Sequence, residues 1–177
     1  MTTKFPNGIT NAARDSALEQ MGQLDPTNVH TYFNDFDEPP LSTEWTLTAV
    51  SVGTGTSAIT TPDLDGGNAR ITTAANENDG LWAQLAGETF LMSASKKLWI
   101  KARFQVGDAI ESDMVFGLHS TSTTPQAATM RFLFESVDGA AAMYFNCDNN
   151  TDDDDSSTVV TLTDDTFVTV GAYYDGN

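Results

Sequence analysis

Residues 96–119, KKLWIKARFQVGDAIESDMVFGLH, contain two stretches in which side chains alternate between two kinds. The first stretch places Leu98, Ile100, Ala102, Phe104 and Val106 on one side and Lys97, Trp99, Lys101, Arg103 and Gln105 on the other. A period of two residues is typical of a β-strand with one buried face. After a break at Gly107-Asp108, residues 114–119 alternate again, with Met114, Phe116 and Leu118 on one face. Two such strands without a helical pattern between them predict an antiparallel sheet with one packed face.

Similar signals continue along most of the chain. They lie in TYFNDF (31–36), WTLTAVSV (45–52), ARITT (69–73), GLWAQL (80–85), MRFLFES (130–136), AMYFNC (142–147), STVVTL (157–162) and TFVTVGAYY (166–174). Clusters of Gly, Asp, Asn and Pro separate these segments, and we expect about eleven short strands at a spacing of roughly ten residues. The pattern predicts an all-β, antiparallel β-sandwich or jelly roll over residues 31–177, without the alternation of strands and helices that gives a parallel sheet.

Residues 1–30 differ from the rest and predict an N-terminal arm. An extended segment and a turn precede a short helix over Ala12–Met21, for which Asn11 is a suitable N-cap. Ten residues are too few for a stable isolated helix, so the arm is either a frayed terminus or a segment that docks on a partner. In the second case its apolar anchors are Phe5, Ile9, Leu18, Met21 and Leu24.

The charge of the chain limits its partners. Asp and Glu number 25 against eight Lys and Arg, which gives a formal net charge of -17. This charge argues against nucleic acid as a partner, because phosphates require the opposite sign. The sequence has no secretory signal and no apolar run near the ~20 residues of a membrane span, so we expect no membrane association. The single cysteine, Cys147, alternates with Met143 and Phe145 and is expected to be buried.

Four of the eight bases fall within residues 96–103. Lys97, Trp99, Lys101 and Arg103 share one face of the predicted strand. The simpler interpretation is cross-strand pairing of these bases with acids on a neighbouring strand. The alternative is a contact stripe for an acidic surface or a glycan, with Trp99 as its anchor.

Oxygen ligands for calcium occur in three segments. Asp63 and Asp65 lie in DLDGGN (63–68), a second segment is NENDG (76–80), and Asp152 and Asp154 lie in the block Asp148–Ser157, DNNTDDDDSS. None of these segments matches the twelve-residue EF-hand loop, and a run of like charges is typical of a solvated loop. We therefore expect an exposed hairpin loop at 148–157 and no cofactor, with calcium as the alternative.

The sequence contains no strong candidate for a catalytic site. Glu135 with Asp138, and Asp35 with Asp37 and Glu38, are the nearest carboxylate groups, but neither set has the spacing of a glycosidase pair on one strand. His30 and His119 are the only histidines, and no nucleophile motif accompanies them. His119 follows strand residues and is expected at a rim. We predict that the chain is not an enzyme.

Taken in order, the segments YFNDFDEP, WTLT, NDGLWAQL, ETF, KKLWIKARFQV, ESDMVFGL and TFVTVGAYYDG resemble a family of tailed-bacteriophage virion proteins. Their domain is similar to the concanavalin A-like, or laminin-G-like, jelly roll, and the resemblance covers about residues 25–177. It implies a structural protein that decorates or cements the capsid, with the major capsid protein or copies of itself as partners. The implied location is the capsid exterior, after synthesis in the host cytoplasm.

One feature of the resemblance concerns the end of the sequence. In that family the segment matching GAYYDGN (171–177) is followed by further strands, so we expect the sandwich to lack its last strands here. Two other functions stay open from the sequence. One is a glycan-binding module of a host-recognition appendage, because Trp82 and Trp99 occupy outward positions, and the other is a hydrolase.

Overall fold

The computed structural model describes residues 29–38, 43–51, 53–62, 67–149, 153–155 and 158–176. These residues form an all-β structure with antiparallel sheets and one short 3-10 helix, Pro125–Ala127. The strands are β1 (Trp45–Val50), β2 (Ala58–Thr60), β3 (Arg70–Thr72), β4 (Gly80–Leu85), β5 (Leu98–Phe104), β6 (Met114–His119), β7 (Met130–Ser136), β8 (Ala142–Asn149), β9 (Asp153–Asp155), β10 (Val160–Thr161) and β11 (Val168–Tyr174). The predicted all-β class is confirmed. The predicted arm, with Phe5, Ile9, Leu18, Met21 and Leu24, lies almost entirely outside the described residues.

The chain divides into two compact units. The described part of the smaller unit comprises residues 29–38, 59–62 and 67–72, and the short strands β2 and β3 pair there. The predicted strand at 31–36 is wrong, because these residues form no strand. The Asn34 side chain accepts a hydrogen bond from the Phe36 backbone N–H at 2.7 Å, and Phe36 has a φ of 60°. Such an Asx turn bends the chain locally and competes with sheet pairing.

The larger unit contains three antiparallel sheets. Strands β1 and β4 pair along their full lengths, from Trp45 opposite Leu85 to Val50 opposite Gly80. A five-stranded sheet runs in the order β10-β8-β7-β6, with β9 also paired to β8. Strands β5 and β11 form the third sheet with all seven residues in register, and among the described residues they pair only with each other.

The main core is built from the β5–β11 sheet and the five-stranded sheet. Its buried residues are Val106, Ala109, Phe134, Met143, Leu162 and Val170, and partly buried side chains from β5, β6, β8, β10 and β11 pack against them. The inner positions of β5 are those that the alternation predicts, since Ile100, Ala102 and Phe104 pack against this core. The segment TFVTVGAYY alternates in the same way, and Val168, Val170 and Ala172 of β11 also belong to this core. Burying side chains of this size contributes roughly 1.5–3 kcal/mol each, which makes this core the main source of stability.

The pairing of the two central strands differs from the expectation. Strands β5 and β6 both point apolar residues into the same core, but they lie in different sheets. Residues 105–113 connect them, and the Ala109 N–H donates to Asp164 Oδ1 at 2.8 Å while the Asp165 N–H donates to the Val106 carbonyl at 2.9 Å. These bonds hold the connection against the segment before β11, so the chain passes from one sheet to the other instead of forming a hairpin.

Two expectations near the end of β8 are corrected. Part of the predicted loop at 148–157 is a strand, because β9 (Asp153–Asp155) pairs with Asn146–Asp148. Backbone groups make this pairing, so the acidic composition does not prevent it, and charges on an edge strand are a common protection against further pairing. Cys147 keeps the predicted alternation but is exposed, because it lies toward the end of β8 and outside the buried core.

Candidate binding surface

The outward face of the β5–β11 sheet carries the contact stripe that the sequence predicts. Lys97 precedes β5, and Trp99, Lys101 and Arg103 point away from the core because Ile100, Ala102 and Phe104 pack against it. All four side chains are exposed. We call this surface, together with the outward residues of β11 and Phe167 just before it, the basic face.

The neighbouring strand supplies no acid to this face. In the β5–β11 register, Tyr173 lies opposite Trp99, Gly171 opposite Lys101 and Thr169 opposite Arg103. The expected cross-strand pairing with acids is therefore not formed at Lys101 and Arg103. No ion pair joins Lys97, Lys101 or Arg103 to a carboxylate among the described residues, in contrast to Arg131 on β7. From Lys97 to Arg103 the face extends about 20 Å, at ~3.4 Å per strand residue.

Aromatic rings accompany the three cations. Trp99 and Tyr173 are 48% and 47% exposed, and their ring centroids lie 4.8 Å apart at an interplanar angle of 33°. The Arg103 guanidinium lies 3.8 Å from the centroid of the Phe167 ring, which is also exposed. A cation over an aromatic face gains about 0.5–1 kcal/mol at an exposed site, so the ring favours an Arg103 side chain held along the sheet. Sequence reasoning missed Tyr173 and Phe167, because their place beside β5 depends on a register that no local pattern specifies.

A second group of polar side chains lies on the five-stranded sheet, on the face opposite the core. Arg131 on β7 bonds through Nε and its terminal nitrogen to Asp148 Oδ2, directly across on β8, and its other terminal nitrogen lies 3.7 Å from Glu135 Oε2. The side chains of Arg131 and Glu135 are 16% and 15% exposed, and that of Asp148 is 8% exposed. Buried Asn146 lies on the same face of β8, and we call these four residues the polar cluster.

Several atoms of the polar cluster lack a hydrogen-bond partner among the described residues. They are Glu135 Oε2, Asn146 Oδ1 and Asp148 Oδ1, and Trp82 Nε1 on β4 is in the same state. Buried polar atoms of this kind are usually satisfied by water. Glu135 and Asp148 are both paired with the same guanidinium, which gives each of them an immediate structural role.

The other candidate residues are not assembled into a catalytic or metal site. Asp138 lies in the exposed turn after β7, and Asp35 and Asp37 lie in a loop instead of on a strand. His119 ends β6, half-buried, with Nδ1 2.7 Å from the Ser120 carbonyl oxygen. No group of three or more His, Cys, Asp or Glu side chains in the described ranges could hold a metal ion. Of the calcium candidates, Asp63, Asp65 and Asp152 lie outside the described residues, and Asp154 is described by its backbone in β9 alone.

Comparison of the chain with protein family models, curated proteins and solved structures gave no match in any of the three. Within the described residues, no helix has the length and apolar character to cross a membrane.

Proposed function

We propose that this chain is a structural virion protein of a tailed phage, which decorates or cements the capsid with a concanavalin A-like jelly roll as its body. The resemblance of about residues 25–177 to such proteins suggests the virion. The observation that supports a contact role on the particle surface is the basic face, where exposed cations and aromatic rings lie together on a chain of net charge -17. Exposed apolar and cationic surface of this kind is typical of contact sites.

The test of this proposal is the location of the protein on a particle. Purified particles of the phage that encodes the chain are labelled with an antibody against it and imaged. We expect many copies on the capsid exterior. Absence of the chain from particles, or labelling of the tail tip alone, would overturn the proposal.

The N-terminal arm is the part of the sequence that we propose attaches to the capsid. Lys4 and Arg14 offset most of its acids, and its apolar anchors contribute roughly 1.5–3 kcal/mol for each side chain that becomes buried, less the cost of ordering the arm. Deletion of residues 2–24 should leave a folded sandwich that no longer binds undecorated particles. Lys101→Glu/Arg103→Glu should bind such particles nearly as well as the wild type at low occupancy. If the truncated protein binds particles and the Lys101→Glu/Arg103→Glu variant does not, the basic face is the attachment surface.

A glycan-binding module on a host-recognition appendage is the second candidate function. The observation in its favour is the exposed Trp99–Tyr173 pair, because aromatic rings flanked by cations are suitable for stacking against a sugar and for binding its carboxylates. Titration with host surface polysaccharide separates the two functions. Binding that is lost in Trp99→Ala, together with labelling on an appendage, would support this second function.

We also propose that the protein has no glycosidase or esterase activity. The proposal is supported by the pairing of Glu135 and Asp148 with Arg131 and by the position of Asp138 in an exposed turn. Two carboxyl groups of a glycosidase must flank one glycosidic bond, one as an acid and the other as a base or nucleophile. Turnover of a β-glucan by the purified protein, abolished in Glu135→Gln, would contradict the proposal.

A further inference from the structure

We propose that the basic face is a docking surface for a second copy of this chain, and that it binds the acidic loops at one end of that copy's sheets. The contact would give the proposed cementing role a lateral link between neighbouring copies. It does not depend on that role, since it can be measured in solution without particles.

The loops at this end are brought together by backbone contacts. Three loops are adjacent here, formed by residues 106–113, 137–140 and 163–166. The Gly139 N–H donates to the Ile110 carbonyl at 3.0 Å and joins the first two loops, and the Ala109 N–H donates to Asp164 and joins the first and third. The loops contain six exposed carboxylates and no base. We call this region the acidic end, and its carboxylates belong to Asp108, Glu111, Asp113, Asp138, Asp164 and Asp165.

The carboxylates of the acidic end have no cationic partner among the described residues. At Asp113, burial and, secondly, the charge of Asp138 raise the pKa of the carboxyl above its usual value. On the basic face, Lys101 and Arg103 lie on one side of β5, and Gly171 and Thr169 stand opposite them in place of acids. The basic face of one copy is therefore complementary in charge to the acidic end of another copy.

Apolar surface matches as well as charge. Ile110 and Val137 are exposed large apolar residues within the acidic end, and Trp99, Tyr173 and Phe167 are exposed within the basic face. Protein interfaces typically bury aromatic and Arg side chains at the centre and keep charges toward the rim. A small anion could satisfy the cations of the basic face, but it would leave the exposed rings uncovered. This combination favours a protein surface that is both acidic and apolar, and the acidic end of a second copy is such a surface.

The experiment uses two charge-reversal variants of the full chain. The first, Lys101→Glu/Arg103→Glu, reverses the basic face. The second, Glu111→Lys/Asp113→Lys, reverses the acidic end and spares Asp108 and Asp164, whose Oδ1 atoms accept backbone hydrogen bonds. Arg70→Glu and Glu77→Lys are matched controls at exposed residues outside both surfaces. Circular dichroism and thermal unfolding establish that each variant is folded, and Lys101→Gln/Arg103→Gln replaces the first variant if reversal impairs folding.

Sedimentation velocity from micromolar to near-millimolar protein gives the readout. The wild type and both controls should self-associate with similar affinity. Each reversal variant alone should associate more than about tenfold more weakly, because like charges then face each other. An equimolar mixture of the two reversal variants should associate again, since each supplies the surface that the other has lost.

Three results would overturn the proposal. They are a wild type that stays monomeric over the whole range, reversal variants that associate like the wild type, and a mixture that stays monomeric. A wild type that binds poly-glutamate or heparin through Lys101 and Arg103 without associating with itself would assign the basic face to another anionic partner. That outcome would leave the proposed virion function to be judged by labelling of particles.

Discussion

Two sheet faces of the larger unit that lie away from the main core place their basic residues in different surroundings. On the five-stranded sheet, Arg131 is largely buried and lies between two carboxylates. On the β5–β11 sheet, Lys101 and Arg103 are exposed, and the strand beside them presents Gly171 and Thr169 at the opposing positions. The comparison shows that the register partner decides whether a base in a strand is paired or left exposed, and composition alone does not distinguish the two.

The bases on the two faces should contribute differently to the stability of the fold. A buried ion pair costs desolvation that its partners must offset, so removal of one partner leaves an uncompensated charge. An exposed base retains its hydration, and its removal changes stability little. The polar cluster should therefore respond strongly in folding measurements, and the basic face should respond mainly in binding measurements.

The largest effect is expected for Arg131→Ala. This change leaves Asp148 and Glu135 close together without their cation, and we expect a loss of about 3–5 kcal/mol in the free energy of unfolding. Chemical denaturation gives the measurement. The matched control is Lys101→Ala, which removes an exposed base from the other face and should change stability by less than about 0.5 kcal/mol. Equal losses of stability in Arg131→Ala and Lys101→Ala would show that the two faces do not differ in this way.

A somewhat smaller effect is expected for Leu133→Ala. Leu133 lies beside Arg131 on β7, on the face away from the main core, yet it is 0% exposed. Truncation of a fully buried Leu typically costs about 2–5 kcal/mol, depending on how far the cavity closes. The control is Leu91→Ala at a highly exposed position, for which we expect a change below about 0.5 kcal/mol. A loss below 1 kcal/mol at Leu133 would show that this face is not packed as the structure has it.

Trp99→Ala tests the basic face and should destabilise the fold by only about 1 kcal/mol. Nearly half of the side chain is exposed, and the main loss is its ring contact with Tyr173. A double-mutant cycle with Tyr173→Ala should give a coupling energy of about 0.5–1.5 kcal/mol. No coupling would mean that the two rings do not stack in solution. A loss of several kcal/mol from Trp99→Ala would place the ring in a core and remove the reason for treating the face as a contact site.

The sequence predicts the faces of individual strands but not the partners that give those faces their roles. Alternation in β5 and β11 identifies the inward and outward residues correctly. The register that sets Tyr173 beside Trp99 and Asp148 beside Arg131 joins residues far apart in the chain. The outward position of Glu135 follows from alternation, whereas its ion pair depends on the Arg131 side chain reaching both carboxylates.

The errors have local physical causes. The segment 31–36 has the composition of a strand, but the Asn34 side chain bonds to the backbone and turns the chain. Residues 153–155 have the composition of a loop, but their backbone pairs with β8. Alternation likewise placed Cys147 on the apolar face of its strand without showing that this end of β8 is exposed.

The smallest effect is expected at Asp113, which contrasts with Asp148 because it has no cation beside it. Burial, and secondly the charge of Asp138, raise the pKa of Asp113 above its usual value. Between the usual and the raised pKa, the folded state holds more protons than the unfolded state, so stability falls as pH rises through this window. Above this pH window the ionised carboxylate lowers the free energy of unfolding by a constant amount, and Asp113→Asn should remove that loss. Asp113 is an exposed residue whose carboxyl is only partly buried, so we expect a gain of only a few tenths of a kcal/mol near neutral pH.

The gain from Asp113→Asn should vanish in acid, where the wild-type carboxyl is protonated in both states. Thermal unfolding as a function of pH, with protein dilute enough to be monomeric, gives the measurement. Asp138→Asn is the control, because it removes the repelling charge and should give part of the same gain. The double variant should gain less than the sum of the two single changes, since each removes the same repulsion. If Asp113→Asn is less stable than the wild type at neutral pH, the carboxylate has a favourable partner. Asp113 would then not differ from Asp148 in this respect.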